Sequence, residues 1–190
     1  MRLGVCVSGL GTNLRNLVER GFDVVAVATN RPSCPAAAFA RDRLIPLGEL
    51  PQSKFSSLED RDAAMRDFFR DRQVELVVDA GYDRIHSQNF LDAFEGRIIN
   101  VHPSLLPMFG GRMDAIEQAL ESGLKFTGAT VHIVTTEVDG GPILLQDSVP
   151  ILEGDDVETL RARVHEVEYR ILPEGIRLME ARLADRSPVR

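Results

Sequence analysis

Apolar residues in this chain follow two alternating rhythms, short β-branched runs and longer stretches apolar on one side only. Leu3-Gly4-Val5-Cys6-Val7, Val24-Val25-Ala26-Val27-Ala28-Thr29 and Leu76-Val77-Val78-Asp79-Ala80 are near-continuous runs of strand length, the pattern of strands covered on both faces. Between them, Leu14, Leu17 and Val18 recur at helical spacing until Gly21, and Pro35 to Arg43 reads as an alanine-rich helix with proline in its first turn. Ile45-Pro46-Leu47 reads as a short edge strand, where a proline is tolerated. Ser56 with Glu59 fits a capping box for a helix whose apolar face is Ala63, Ala64, Phe68 and Phe69. A short helix from Ser87 to Phe94 leads into the strand that ends Ile98-Ile99-Asn100-Val101-His102, and Pro103 stops it. Strand and helix alternate throughout, so the pattern predicts an α/β fold with a Rossmann-like, doubly wound, mainly parallel sheet.

The rhythm changes after a helix carrying Ile116, Ala119 and Leu120, which Gly123 ends. Residues 127–134 and 143–146 both read as strands, and the connection between them is too short for a crossover helix. The C-terminal part of the sheet is therefore expected to be mixed, with an antiparallel pair. A helix from about 156 to 183 follows, with Pro173 expected to kink or break it and a polar, frayed tail over 185–190. Neither a repeat nor a linker divides the chain, and 190 residues suit one domain.

Composition narrows the function classes. The chain is 44% hydrophobic and 27% charged, and no apolar run approaches the roughly 20 residues of a membrane helix. Its start leads into a strand and not into a targeting segment, which makes the cytoplasm the expected location, with no membrane partner. Two cysteines offer no disulfide framework. With 22 basic and 29 acidic residues and a net charge of −7, nucleic acid is a poor partner. An anionic ligand would need aimed backbone dipoles and single arginines.

Ser8-Gly9-Leu10-Gly11-Thr12-Asn13 lies between the first strand and the first helix, where free amides and the Ser8, Thr12 and Asn13 side chains suit a phosphate. Close strand–helix packing alone can also require the glycines. The second strand ends at Asn30, without the acid that would hold a dinucleotide ribose, so a terminal phosphate fits better. Arg61 stands in the first turn of its helix, where the dipole disfavours a cation. It is read either as solvated surface or as a group reaching an anionic ligand.

Asn100 and His102 are two residues apart on one strand, so both side chains point to the same side at the carboxyl end, where ligands bind in open α/β sheets. An amide donor and an imidazole there suit an oxyanion. The competing reading, which these residues alone favour, has them satisfying loop backbone groups. Asp139, in Val138-Asp139-Gly140-Gly141, is a turn residue or a carboxylate that orients the imidazole and favours its protonated form. Together the three would serve acyl transfer to an amine. A metal held by His86, His102, His132, His165 and acids is the other chemical option, but no histidine pair has zinc-motif spacing and His132 reads as a strand residue on the polar face. No serine sits in a nucleophile elbow.

Four blocks, Ser8 to Leu14, Asn100-Val101-His102-Pro103-Ser104-Leu105-Leu106-Pro107, Gly128-Ala129-Thr130-Val131-His132 and Val138 to Ile143, resemble the phosphoribosylglycinamide formyltransferase family in order and spacing. The resemblance runs from Met1 to about Pro173. It implies a single formyltransferase domain over 1–190, with 1–100 as its ribonucleotide-binding half and 101–190 as its catalytic and folate-binding half. It also implies transfer of the formyl group of 10-formyltetrahydrofolate to the amine of glycinamide ribonucleotide in purine biosynthesis, on small molecules only, without metal, in a monomer or homodimer. Asn100, His102 and Asp139 become the catalytic set. Gly11, Thr12, Asn13, Arg61 and Glu168 become ribonucleotide ligands, and Tyr82, Arg84, Ile85, Val134, Thr135, Thr136, Glu137 and Val138 the folate lining. The chain departs from the family between Pro107 and the next helix, where it has one residue more and lacks a common histidine. A formyltetrahydrofolate deformylase-like hydrolase and a non-catalytic nucleotide-binding module are the alternatives.

Overall fold

In a computed structural model, which describes residues 1–185, the chain forms seven strands and six α-helices, separated by short loops. The strands make a mixed sheet, mostly parallel and antiparallel at its C-terminal end, flanked by helices, as the hydrophobic rhythm predicts. The chain divides into two compact units, Met1–Ile99 and Asn100–Arg190. The expected tail beyond Asp185 lies outside the described residues.

In the first unit, β1 (Leu3–Val7) lies between β2 (Val24–Thr29) and β4 (Leu76–Asp79), with β3 (Leu47–Glu49) beyond β2, all parallel. β1 is buried at every position, which accounts for its unbroken apolar run. The helix α1 (Thr12–Glu19) ends as its sequence predicts: Gly21 N–H bonds to Val18 O and Phe22 N–H to Leu17 O, the paired closure of a Schellman motif. The helix α2 (Pro35–Asp42) has proline in its first turn. Phe69 of α3 (Leu58–Asp71) packs against Phe90 of α4 (Gln88–Ala93) and against Phe94, with ring centroids 6.3 and 6.2 Å away.

Two boundaries differ from the sequence reading. The edge strand starts at Leu47, because Pro46 contributes only its carbonyl, to Val27 N–H. The cap of α3 is Ser57, whose hydroxyl accepts from Asp60 N–H at 3.0 Å, one residue beyond the expected Ser56; Ser56 bonds instead to the Asp60 carboxylate.

The second unit begins within β5 (Ile98–His102) and continues through α5 (Ala115–Glu121), β6 (Phe126–Ile133), β7 (Ile143–Pro150) and α6 (Val157–Asp185). β6 and β7 are antiparallel, from Phe126 opposite Pro150 to His132 opposite Ile143. β7 runs four residues past its expected end because pairing with β6 carries its polar, largely exposed C-terminal half. Pro173 does not break α6. Leu160, Val164 and Val167 before it, and Ile171, Leu172, Ile176 and Met179 around and after it, are all buried, so apolar packing on both sides outweighs the lost backbone hydrogen bond. Among the described residues, no helix is long and apolar enough to cross a membrane.

Leu44, just past α2, adopts a left-handed conformation with φ 55° while its side chain is 91% exposed. It fills the position where helices favour glycine and loses no packing if truncated. Leu44→Gly should therefore stabilise the fold by about 0.5–1 kcal/mol, read as a raised midpoint in thermal or urea denaturation.

Candidate active site

β5 brings Asn100 and His102 to its carboxyl end, with His102 only 6% exposed. The chain then turns back under a buried hydroxyl. Thr130 Oγ1 donates to Ser104 O at 2.7 Å and accepts from Leu106 N–H at 3.0 Å, while Gln146 Nε2 donates to both Thr130 Oγ1 and Leu106 O at 2.9 Å. Phe109 then takes a left-handed turn, with φ 59°, and its carbonyl accepts from His102 Nε2–H at 3.1 Å. The reading of His102 as a strand-end group satisfying a loop carbonyl is thus realised, on one ring nitrogen. The other nitrogen, Nδ1, lies 3.3 Å from Asp139 Oδ2.

Asp139 is a turn residue as well, with φ 54°. Its loop returns to β7 through Gly141, where a Cβ would lie 1.8 Å from Ile133 O, so no larger residue fits without moving the backbone. The carboxylate receives Gly111 N–H at 2.8 Å on Oδ2 and Asn100 Nδ2 at 3.4 Å on Oδ1. His132 Nε2 stands 3.4 Å from the same Oδ1 and 3.2 Å from Asn100 Nδ2. Asn100, His102 and Asp139 therefore converge within the second unit.

His132 is the residue the sequence reading missed. It is 1% exposed and faces this cluster, not a polar surface, and its Nδ1 lies 3.1 Å from Ile133 O. With Nδ1–H donating there, the neutral ring accepts from Asn100 at Nε2, whereas the charged ring donates to Asp139. The available signal was alternation: Thr130 and His132 are both polar and share one side of β6.

The electrostatics separate the two partners. Burial alone would raise the Asp139 pKa, but hydrogen bonds from His132 and Gly111 N–H, with the charges of His102 and His132, bring it from an ordinary 3.8 to about 2. Burial lowers the His102 pKa below its usual value; Asp139 and the Phe109 carbonyl oppose that shift and His132 reinforces it. The expected net gain of the protonated form is thus reversed, because desolvation of the ring exceeds the pull of the carboxylate. At neutral pH the site holds a firmly ionised carboxylate beside an imidazole that is mostly neutral and readily exchanges a proton.

The remaining predicted residues fall in both units. In the first, Gly11 caps α1 with φ 73° and no side-chain hydrogen bond, and a Cβ there would come within 2.6 Å of Ala36 Cβ. Thr12 is half-buried and Asn13 buried. Ser8, counted among the phosphate groups from sequence, is instead used internally: its hydroxyl donates to Asn30 Oδ1 at 2.6 Å and accepts from Asp83 N–H at 3.0 Å. Arg61, read as solvated or as reaching for an anion, is 1% exposed and has internal partners. Its Nη2 lies 2.7 Å from Asp62 Oδ1 and 3.2 Å from Ile85 O, and Asp62 Oδ2 accepts from Ser87 N–H at 2.6 Å. A buried guanidinium needs such a partner carboxylate, and here it helps tie down the chain after β4.

On that segment Tyr82 stacks on His86 with ring centroids 5.3 Å apart, burial raising the phenol pKa, while Arg84 and Ile85 are exposed. His86, one of the histidines considered as a metal ligand, bonds directly to Asp79 at 2.9 Å, with Cys6 alongside. In the second unit Val134 is half-buried, Thr135, Thr136, Glu137 and Val138 are exposed, and Glu168 lies on the buried face of α6.

Most of the chain is similar to known proteins. A family model described as formyl transferase matches residues 1–176. Phosphoribosylglycinamide formyltransferase of Mycobacterium tuberculosis is 41% identical over 180 residues, covering 92% of this chain and 83% of that protein. The trifunctional purine biosynthetic protein adenosine-3 of Gallus gallus is 37% identical over 94% of this chain, which spans only 18% of that longer protein. The crystal structure of glycinamide ribonucleotide transformylase 1 from Symbiobacterium toebii superposes with a TM-score of 0.90 at 43% identity, covering 94% of this chain and 87% of that one.

Because the folded pKa of Asp139 is depressed, its stabilising contribution is present above the unfolded value and lost as pH falls through the folded one. Asp139→Asn should be less stable than the parent near neutral pH, with the difference shrinking from about pH 4 to about pH 2, as urea denaturation at several pH values would measure. In an NMR titration His102 should titrate below an ordinary histidine, and lower still in Asp139→Asn, where the opposing carboxylate charge is gone.

Proposed function

We propose a division of labour for this chain, which belongs to the formyl transferase family and, within it, to the phosphoribosylglycinamide formyltransferases. It transfers a formyl group from a folate donor to the amine of glycinamide ribonucleotide, a step of purine biosynthesis. We take 10-formyltetrahydrofolate as the donor and Asn100, His102 and Asp139 as the catalytic set. The observation that carries this reading is the approach of the Asn100 and His102 side chains to within 3.3–3.4 Å of the Asp139 carboxylate.

In this reading the amine attacks the formyl carbon, and the carbonyl oxygen becomes an oxyanion that accepts from Asn100 Nδ2–H. Forming the C–N bond acidifies the attacking nitrogen, and the neutral imidazole of His102 takes up its proton. The positive charge of the imidazolium then adds to Asn100 in stabilising the oxyanion. As the C–N bond to the folate breaks, that proton passes to the departing folate nitrogen. Asp139, with a pKa of about 2, is too weak a base to accept the proton itself. It stabilises the imidazolium and holds the ring in register, aided by Gly111 N–H and His132.

The other roles follow the chemistry of the groups present. The uncapped start of α1, with Gly11, Thr12 and Asn13, suits the ribonucleotide phosphate, and the carboxylate of Glu168 suits its sugar hydroxyls. Tyr82, Arg84 and Ile85, with Val134 to Val138, supply aromatic, cationic and apolar groups for the folate. Arg61 acts on the ribonucleotide indirectly, through the backbone it holds. The reaction is assigned to the cytoplasm and needs no metal; monomer and homodimer are both compatible with a catalytic set supplied by one unit.

Purified protein given 10-formyltetrahydrofolate and glycinamide ribonucleotide should yield formylated product, with no loss of rate in a metal chelator. Release of formate without transfer would favour the deformylase-like alternative. Asn100→Ala should lower kcat about 10²–10³-fold through loss of an oxyanion donor. Asp139→Asn should lower kcat about 10²–10⁴-fold while ribonucleotide still binds. If ribonucleotide binding were lost along with turnover instead, Asp139 would be a turn residue only.

A further inference from the structure

We propose that Asn30 and Asp83 are positioning residues that lock the loop leading into α1 to the loop leaving β4, so that ribonucleotide and folate bind with positive coupling. This rests on the assignment of Gly11 to Asn13 to the phosphate and of Tyr82, Arg84 and Ile85 to the folate. Both loops belong to the first unit, as does every contact between them described below.

Three strands set the stage. β1 lies between β2 and β4 and parallel to both, so Ser8, Asn30 and the segment from Ala80 leave the sheet side by side at one carboxyl edge. There they close a ring of three hydrogen bonds. Ser8 Oγ–H donates to Asn30 Oδ1 at 2.6 Å, Asn30 Nδ2–H donates to Asp83 Oδ1 at 2.8 Å, and Asp83 N–H donates to Ser8 Oγ at 3.0 Å. A fourth link, Ser8 N–H to Gly81 O at 3.0 Å, joins the same two loops.

The ring admits one arrangement. Asn30 donates on one side and accepts on the other, and flipping its amide would set its carbonyl oxygen against the Asp83 carboxylate, which cannot donate. Ser8 and Asn30 are 4% and 8% exposed, which leaves little competition from water. Outside the ring, the Arg31 guanidinium pairs with Asp83 Oδ2, and Arg84 Nε lies 3.6 Å from Asp83 Oδ1. Gly9 O accepts from Ala36 N–H at 3.1 Å, so the α1 loop is also anchored on its other side.

The consequence is thermodynamic. Two independent loops would each lose conformational freedom when their own ligand binds. Loops cross-linked by a buried ring are ordered together, so the first ligand removes part of the entropy cost that the second would face. Coupling is reciprocal, and each ligand tightens the other by the same factor.

Tetrahydrofolate and glycinamide ribonucleotide form a pair that cannot react, because no formyl group is present, so coupling can be read at equilibrium by calorimetry. Tetrahydrofolate should bind the parent protein about 5-fold or more tightly when the ribonucleotide is saturating. In Asn30→Leu that ratio should fall to near one, with each ligand alone binding within a few-fold of the parent. Asp83→Ala, a second route to the same loss should Asn30→Leu fold poorly, should behave likewise. Asp83→Asn keeps the acceptor and the backbone N–H and should retain the coupling, a rescue that a role confined to fold stability would not give. A ratio near one in the parent, or an undiminished ratio in folded Asn30→Leu or Asp83→Ala, would overturn the proposal. Failure of both ligands to bind the parent would overturn the functional reading and this inference with it. Tight binding of each ligand without coupling would overturn the inference alone.

Discussion

The carboxylate of Asp139 stays ionised in a largely buried position because four polar groups from three stretches of chain meet it. Asn100 and His102 arrive from β5, Gly111 from the loop that follows, and His132 from the end of β6. Burial works against a charge there, and only this convergence brings its pKa to about 2. A fixed anion at that point holds Asn100 and His102 in place. The chemistry of the site depends on packing that lies outside the reacting groups.

Much of that packing is the turn from His102 to Gly111. A buried threonine hydroxyl and a glutamine amide hold Ser104 and Leu106, and the left-handed Phe109 aims a carbonyl at the His102 ring.

The first unit uses buried polar groups differently. Arg61 and Asp62 hold Ile85 O and Ser87 N–H, His86 bonds to Asp79, and Asp83 closes a ring with Ser8 and Asn30. Each pairing fastens part of the segment between β4 and α4 to the sheet edge. Burying these groups unpaired would be costly, so the segment is held where they are satisfied.

The order of strands and helices was legible in the sequence because it is written in local periodicity. Continuous apolar runs marked the parallel strands, and the short connection after Ile133 marked the antiparallel pair. Boundaries at Pro46, Ser56 and Pro173 were less legible, since sheet pairing and helix burial override local preference there. Asn100 and His102 declared themselves by spacing on one strand, and the family resemblance singled out Asp139. Tertiary structure alone brought His132 to that carboxylate, removed Ser8 and Arg61 from the solvent-facing roles read for them, and made the His102 imidazole easier to deprotonate. Those outcomes depend on distances between residues tens of positions apart and on exclusion of water, which no local pattern along a chain encodes.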